Sequence, residues 1–277
     1  MSELKAASKL ILLSLWIALW FGPVWLAFKL GKSAMRNRMV HLCSNGMLRI
    51  IGVRVTVTGR PSDIRPLLLV SNHISYLDIP ILQSKAAVHF TPKIEIAGWP
   101  VISAISRICG AVFVDRRPEK LLEMKQSLHR ALAGGDMISL FPESTTGNGI
   151  HMHPFKSGFF SLAEELIDGR ELTVQPAAIT YSSIHKLPID TTQWPLIAWY
   201  GDMELVPHLW NLLKLTPIDA ELVFLPPVTL SQHGDRKKLA AHCQQVIGET
   251  IQSLRSRQHD SKVKHLKFHP RFLRVKN

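Results

Sequence analysis

A histidine and an aspartate suited to proton transfer follow the second apolar stretch of the chain. Four residues separate His73 from Asp78, in Asn-His-Ile-Ser-Tyr-Leu-Asp. A histidine beside a carboxylate can take a proton from an alcohol near neutral pH, while the carboxylate fixes the ring tautomer. Spacing alone is weak evidence, because His185 and Asp190 share it. We predict His73 as a general base and His185 as structural or surface, since only His73 presents a polar turn directly after an apolar strand.

Three further blocks also place polar residues where an apolar run ends. One delivers an acid and two arginines, and arginine binds phosphate through two parallel hydrogen bonds. A solvated turn with a surface ion pair is the plainer interpretation of that block. The second combines one carboxylate with three hydroxyls, and the third is an apolar strand that contains a proline. In chain order they are Gly110-Ala-Val-Phe-Val-Asp115-Arg116-Arg117, Phe141-Pro142-Glu143-Ser144-Thr145-Thr146 and Val174-Gln-Pro176-Ala-Ala-Ile179.

Together the four blocks resemble the ordered motifs of the glycerolipid acyltransferases, a family that includes 1-acylglycerol-3-phosphate acyltransferase. They lie at residues 72–78, 110–116, 141–145 and 174–179. The resemblance implies transfer of a fatty acyl group from acyl carrier protein or coenzyme A to a lysolipid hydroxyl, with no bound metal or prosthetic group. It implies His73 as the base and Asp78 as its partner. The acceptor site would comprise Arg116, Glu143, Ser144, Thr145 and Lys156, and the motif framework Asn72, Gly110, Asp115, Pro142 and Pro176.

The third block departs from the family pattern at two positions. Ser144 stands where the family usually has glycine, and Thr146 where it often has arginine. Losing that arginine removes a phosphate-binding charge, for which Lys156 is a candidate replacement. The Thr-Thr pair and the stretch at 198–203 look more like a bacterial branch that includes lyso-ornithine lipid acyltransferases.

The acceptor hypotheses are therefore ranked. The first is 1-acylglycerol-3-phosphate, giving phosphatidic acid, and the alternative is lyso-ornithine lipid. A non-catalytic membrane- or lipid-binding protein is the alternative of another class, but it would need no His73–Asp78 pair. His151 and His153 lack a third ligand at metal spacing, so we predict a polar loop and no metal site.

The periodicity predicts the elements that must position these residues. Strands are expected at 53–58, 67–70, 111–114, 137–141, 173–181 and 220–225, with helices at 119–133 and 235–256. Strands that alternate with helices predict an α/β fold, a mixed sheet flanked by helices. The resemblance implies the same glycerol-3-phosphate acyltransferase-like architecture.

An uncharged stretch of 19 residues, 10–28, lies between Lys9 and Lys29. As a helix it would be roughly 28 Å long, close to the thickness of a bilayer's hydrocarbon core. It holds three of the seven tryptophans, and tryptophan favours the membrane interface. We predict an N-terminal membrane-anchor helix that either spans the bilayer or lies in its interface. The four cations at 29–38 favour a cytoplasmic catalytic domain at the cell (inner) membrane.

Composition and charge bound the partners. With 46% hydrophobic and 19% charged residues, the chain is not disordered. The net charge of +12 is concentrated at the ends: residues 1–60 hold nine Lys or Arg and one acid, and residues 253–277 hold eight and one. This excludes a uniformly basic nucleic-acid binder and favours an anionic membrane surface or an acidic carrier. Three well-separated cysteines predict a reducing compartment. The predicted domains are an anchor with its basic flank (1–38), a catalytic domain (39–257) and a basic tail (258–277).

Overall fold

The computed structural model describes residues 2–115 and 117–267, and an eight-stranded mixed sheet lies at its centre. In chain order its strands are β1 (Val53–Thr58), β2 (Leu67–Ser71), β3 (Val88–Phe90), β4 (Met137–Leu140), β5 (Thr173–Ile184), β6 (Leu187–Pro188), β7 (Ile218–Phe224) and β8 (Val228–Thr229). The spatial order is β1-β7-β5-β2-β4-β3, and β6 and β8 both pair with β5.

Strand direction explains where the polar blocks meet. β3, β4, β2 and β5 are mutually parallel, whereas β7 runs antiparallel to β5 and parallel to β1. The carboxyl ends of parallel strands share one edge of a sheet, which is where α/β proteins place their sites. His73 follows β2 and Glu143 follows β4, so neighbouring strands deliver both residues to this edge.

Helices cover both faces of the sheet. They are α1 (Ser2–Lys29), α2 (Ser33–Ile51), α3 (Asp78–Gln83), α4 (Pro100–Ile108), α5 (Leu121–Ala133), α6 (Leu205–Lys214), α7 (Leu230–His233) and α8 (Arg236–Lys267). Alternate residues of β2 define two cores: Leu67 and Leu69 pack with α1, α2, α3 and α6, and Leu68 and Val70 pack with α5 and α8. Every residue of β2 is buried, as expected for a strand covered on both faces. The mixed sheet flanked by helices confirms the predicted fold class.

The N-terminal helix α1 packs along the body with one side and exposes the other. Ala6 and Leu13 are buried in the core that also contains β2. Leu12, Leu15 and Leu19 are all more than half exposed on the other side. The helix runs through Pro23 without interruption. Among the described helices it is the one long and apolar enough to cross a membrane.

The predicted strand at 111–114 is wrong. Val112 and Val114 donate hydrogen bonds to the carbonyls of Phe90 and Pro92, and Val114 forms one isolated parallel bridge with Lys93. The segment therefore runs beside the end of β3 without building a ladder. Pro92 has no N–H to donate across this pair, which shortens the pairing that the apolar run Ala-Val-Phe-Val predicted.

The last helix is longer than predicted. The apolar periodicity ends near residue 254, but α8 continues to Lys267. The predicted irregular tail is therefore wrong for residues 258–267, and residues 268–277 lie outside the described part of the chain. Helix propensity accounts for the difference, because lysine and glutamine are good helix formers even where no apolar face needs burial.

Candidate active site

The turn after β2 is fixed to the neighbouring strand by Asn72. Its side-chain amide donates to the Ile179 carbonyl at 2.9 Å and accepts from the Ile179 N–H at 2.8 Å. Asn72 is 2% exposed, and a buried amide must find partners for both of its groups. This two-way bond joins the first and fourth sequence blocks and places His73 at the sheet edge.

His73 and Asp78 form a hydrogen-bonded pair. The His73 Nδ1–H donates to Asp78 Oδ2 at 2.8 Å. The same oxygen accepts the backbone N–H groups of Ile74 and Ser75 at 2.7 and 2.9 Å. With the proton on Nδ1, Nε2 is left as the basic nitrogen of the ring. The pair thus has the arrangement that a general base and its orienting carboxylate require.

Tyr181 completes the surroundings of Asp78. Its hydroxyl donates to Asp78 Oδ1 at 2.6 Å, and both side chains are fully buried. Burial, followed by the nearby carboxylate, raises the pKa of Tyr181 well above its usual range, so the phenol keeps its proton and remains a donor. Asp78 therefore accepts four hydrogen bonds and is held in one orientation.

Glu143 holds the main chain around the histidine. Its carboxylate is 3% exposed and accepts the N–H of His73 at Oε1 and the N–H of His153 at Oε2, both at 2.7 Å. The ring of Phe141 stacks on the His73 imidazole with centroids 3.8 Å apart. Burial raises the pKa of Glu143 to about 7, although the two backbone donors oppose the shift. In these contacts Glu143 positions His73.

We expect Glu143→Gln to destabilise the protein and to lower activity about tenfold or more. A glutamine offers one oxygen to two N–H donors, and a buried N–H left unpaired costs about 1–3 kcal/mol. Because burial raises the folded-state pKa above 4.5, the wild type loses stability as pH rises from about 4.5 to about 7. The glutamine variant has no titrating group at this position, so the difference in free energy of unfolding between the two proteins becomes smaller as the pH rises.

Denaturant unfolding of both proteins across that pH range measures the effect, and the exposed Glu249→Gln serves as the control. A deficit that is constant with pH would contradict the raised pKa. An undiminished activity would contradict the positioning role.

A cleft of about 390 Å³ opens beside this pair. His73 and Glu143 line one wall, the turn at 147–152 lines a second, and α8 contributes Gly248, Ile251, Gln252 and Arg255. His73 thus borders a cavity within the size range of small-molecule sites. Its α8 wall was not predicted from the sequence, since no motif marks Arg255.

Ser144 explains one departure from the family pattern. Its φ angle is 65°, in the left-handed region that favours glycine. The turn accepts serine here, and the Ser144 N–H donates to the Phe141 carbonyl at 3.0 Å. The usual glycine of the family thus corresponds to a backbone requirement of this turn.

The other residues predicted for the acceptor site either do not line the cleft or are not among the residues that the structure describes. Arg116 is not among the described residues. Thr145 and Lys156 are exposed, and neither they nor Ser144 line the cleft. The structure therefore gives no contact that joins Lys156 to His73, and these four assignments remain predictions.

The residues predicted for the motif framework make contacts within the turns and strands. Asp115 binds Arg117, whose guanidinium lowers the pKa of Asp115 to about 2. Gly110 has a φ of 86°, and a Cβ there would lie 3.0 Å from the Arg36 guanidinium. The Pro142 carbonyl accepts the Lys156 N–H. Pro176 lies between the parts of β5 that pair with β8 and with β7, so its missing N–H interrupts neither ladder.

The second His–Asp spacing builds no pair. The His185 Nδ1–H donates to the Thr216 carbonyl, and Asp190 accepts from Thr192 and Gln193 within its own turn. His151 and His153 are exposed, and the described residues contain no cluster of three His, Cys, Asp or Glu side chains suited to a metal ion.

The fold and this site define an acyltransferase, and the chain belongs to the Acyltransferase family, whose model matches residues 54–180. The lyso-ornithine lipid O-acyltransferase of Brucella abortus is 35% identical over 226 residues, covering 80% of this chain and 85% of that protein. The Rhizobium meliloti enzyme of the same name is 34% identical over 75% of this chain and 71% of its own length.

One further relative and one solved structure are named for a 1-acylglycerophosphate acceptor. The 1-acyl-sn-glycerol-3-phosphate acyltransferase of Neisseria gonorrhoeae is 28% identical over 82% of this chain and 89% of that protein. The crystal structure of the 1-acyl-sn-glycerophosphate acyltransferase of Thermotoga maritima has the same fold, with a TM-score of 0.66, 17% identity and coverage of 92% and 99%. The predicted family is confirmed, and the non-catalytic alternative is set aside.

Proposed function

We propose that this chain transfers a fatty acyl group from an acyl thioester to the free hydroxyl of a lysolipid whose headgroup carries a carboxylate or phosphate. The observation that carries the proposal is the His73–Asp78 pair on the wall of a cleft. Lyso-ornithine lipid is the favoured acceptor, and 1-acylglycerol-3-phosphate is the second candidate. Four relatives named for the first acceptor are 30–35% identical, against 28% for those named for the second. This reverses the ranking that the sequence blocks alone gave.

The chemistry follows from the tautomer of His73. Nε2 removes the proton of the acceptor hydroxyl as the oxygen attacks the thioester carbonyl. The tetrahedral intermediate collapses, the C–S bond breaks, and the imidazolium returns the proton to the departing thiolate. Asp78 stabilises the imidazolium throughout and stays ionised. Atoms and charges balance, and the products are the diacylated lipid and the free thiol of acyl carrier protein or coenzyme A.

We further propose that α1 lies in the membrane interface rather than across the bilayer. Its start is fixed by an ion pair of 2.6 Å between Glu3 and Lys214, and its middle by the Trp16 indole N–H, which donates to the Cys43 carbonyl at 2.9 Å. Near its end, Val24 packs with Val40 and Ile108. A helix bound to the body along its length presents only its outer apolar side to lipid. The exposed cations at and after the end of α1, Lys29, Lys32 and Arg38, would then meet anionic headgroups on the cytoplasmic side.

Acyl transfer by the purified full-length protein in detergent tests the proposed function. The assay offers acyl carrier protein and coenzyme A thioesters to lyso-ornithine lipid, 1-acylglycerol-3-phosphate and uncharged monoacylglycerol. We expect labelled ornithine lipid as the main product. Faster acylation of 1-acylglycerol-3-phosphate would select the second candidate, and no transfer to any lysolipid from either donor would overturn the proposal.

A further inference from the structure

The cleft holds one full positive charge that the catalytic pair does not use. Among the described residues that line it, Arg255 is the one lysine or arginine. It lies on α8, lines the same cleft as His73 and Glu143, and reaches the cleft from a part of the chain outside the four sequence blocks. An arginine beside a general base requires an explanation, because it affects every charged group that enters.

Arg255 is held in place but not neutralised. Its Nη1 donates to the Ile150 carbonyl at 3.0 Å and its Nη2 to the Gly149 carbonyl. The guanidinium carbon lies 4.7 Å from the centroid of the Trp194 ring. Within the described chain no carboxylate forms an ion pair with it, and its Nε is buried without a hydrogen-bond partner. Two carbonyls fill two of the five N–H positions, and besides the buried Nε–H one N–H on each Nη remains.

A purely structural role accounts for the two carbonyl bonds and the cation–π contact with Trp194, but among the described residues it leaves one N–H on each Nη unused. The two carbonyl bonds and the stacking fix the turn at 149–150, where Gly149 has a φ of 79° and a Cβ would lie 2.2 Å from Trp194. Taking a guanidinium out of water is costly unless an anion compensates it. An anion that enters with the substrate supplies that compensation.

We propose that Arg255 binds the carboxylate or phosphate of the acceptor headgroup and thereby selects lysolipids that carry such a group. Both groups present paired oxygens that match the guanidinium N–H positions. The remaining donors of Arg255 would hold this group while the acceptor hydroxyl meets His73 Nε2. The proposal rests on the proposed function, and it names a specificity residue for that reaction.

Steady-state kinetics of full-length Arg255→Gln and Arg255→Lys test it, with lyso-ornithine lipid, 1-acylglycerol-3-phosphate and uncharged monoacylglycerol as acceptors. We expect Arg255→Gln to lower kcat/KM for the acceptor with a carboxylate or phosphate at least about tenfold more than for monoacylglycerol, mainly through KM. Arg255→Lys should recover part of the loss. The acceptor that shows the larger loss, lyso-ornithine lipid or 1-acylglycerol-3-phosphate, tells whether Arg255 binds a carboxylate or a phosphate. Arg257→Gln, an exposed arginine on the same helix, is the matched control.

Equal losses with charged and uncharged acceptors would overturn the proposal, as would a rise in KM for the thioester donor alone. Calorimetric binding of N-octanoyl-ornithine and of octanoyl-glycerol-3-phosphate separates this failure from failure of the proposed function. If the wild type transfers no acyl group but binds one of these ligands at least tenfold more tightly than Arg255→Gln, the function is wrong and the site for a carboxylate or phosphate stands. Equal binding by both proteins would overturn the site.

Discussion

Replacing His73 with alanine is expected to lower kcat about 10²–10⁴-fold, the usual cost of a lost general base. The reason is geometric, because Nε2 is the basic nitrogen that the Nδ1–Asp78 bond leaves available. Asp78→Asn should give a comparable loss. An asparagine cannot serve as an anionic acceptor for the backbone N–H groups of Ile74 and Ser75, the Tyr181 hydroxyl and the imidazole together. Single-turnover acyl transfer to the preferred lysolipid measures the chemical step.

The chain supplies a matched control for this experiment. His185 is followed by Asp190 at the same spacing, but it donates to the Thr216 carbonyl and is exposed. We expect His185→Ala to transfer acyl groups at the wild-type rate. Wild-type turnover by His73→Ala, with its unfolding temperature unchanged, would refute the general-base mechanism.

Three glutamates on the outer side of α1 are expected to release most of the protein from membranes. The change is Leu12→Glu, Leu15→Glu and Leu19→Glu, and these side chains are 53%, 63% and 64% exposed. Each charge costs up to roughly 3 kcal/mol at hydrocarbon depth. Ala6 and Leu13 keep their places in the core, so the fold should persist. Co-sedimentation with anionic liposomes measures the loss, and circular dichroism checks the fold.

Two equally exposed leucines on the opposite face of the sheet provide the control. Leu122 and Leu166 are 66% and 63% exposed, and their neighbours belong to the core around α5 and α8. We expect Leu122→Glu with Leu166→Glu to remain membrane-bound. Release by this control to the same extent, or full retention of the α1 variant, would show that α1 is not the principal attachment.

The His73–Asp78 pair could be predicted from the sequence because its geometry is local. His73 lies in the turn after β2 and Asp78 is the first residue of α3, so a spacing of five positions already determines that they can meet. Glu143 could also be predicted as a site residue, because a short apolar strand followed by polar residues marks the carboxyl end of that strand. The direction of its carboxylate, toward two backbone N–H groups, depends on how the turns after β2 and β4 cross, which no spacing encodes.

Tyr181 and Arg255 could not be found in the same way. Tyr181 lies in an unbroken buried strand, where a tyrosine has the pattern of an ordinary core residue. One feature of the sequence could have indicated its role. Tyr181 alternates with Ala177 and Ile179 along β5, so these side chains lie on the same face of the sheet as Asp78. Arg255 lies on the amphipathic helix α8, where an arginine has the pattern of a solvated position. Its place in the cleft depends on how α8 packs on the sheet.

The contacts that join the turns after β2 and β4 have a consequence for how acceptor range can change. Glu143 accepts the His73 N–H, the Gly147 N–H donates to the His73 carbonyl, and Phe141 stacks on the ring. The two turns therefore move as one rigid unit that carries the base. On the proposed role of Arg255, the contacts that choose the lipid come from α8, more than a hundred residues later in the chain. The reaction and the choice of lipid are then separable, and substitutions on α8 offer a route to new acceptors that leaves the proton-transfer geometry in place.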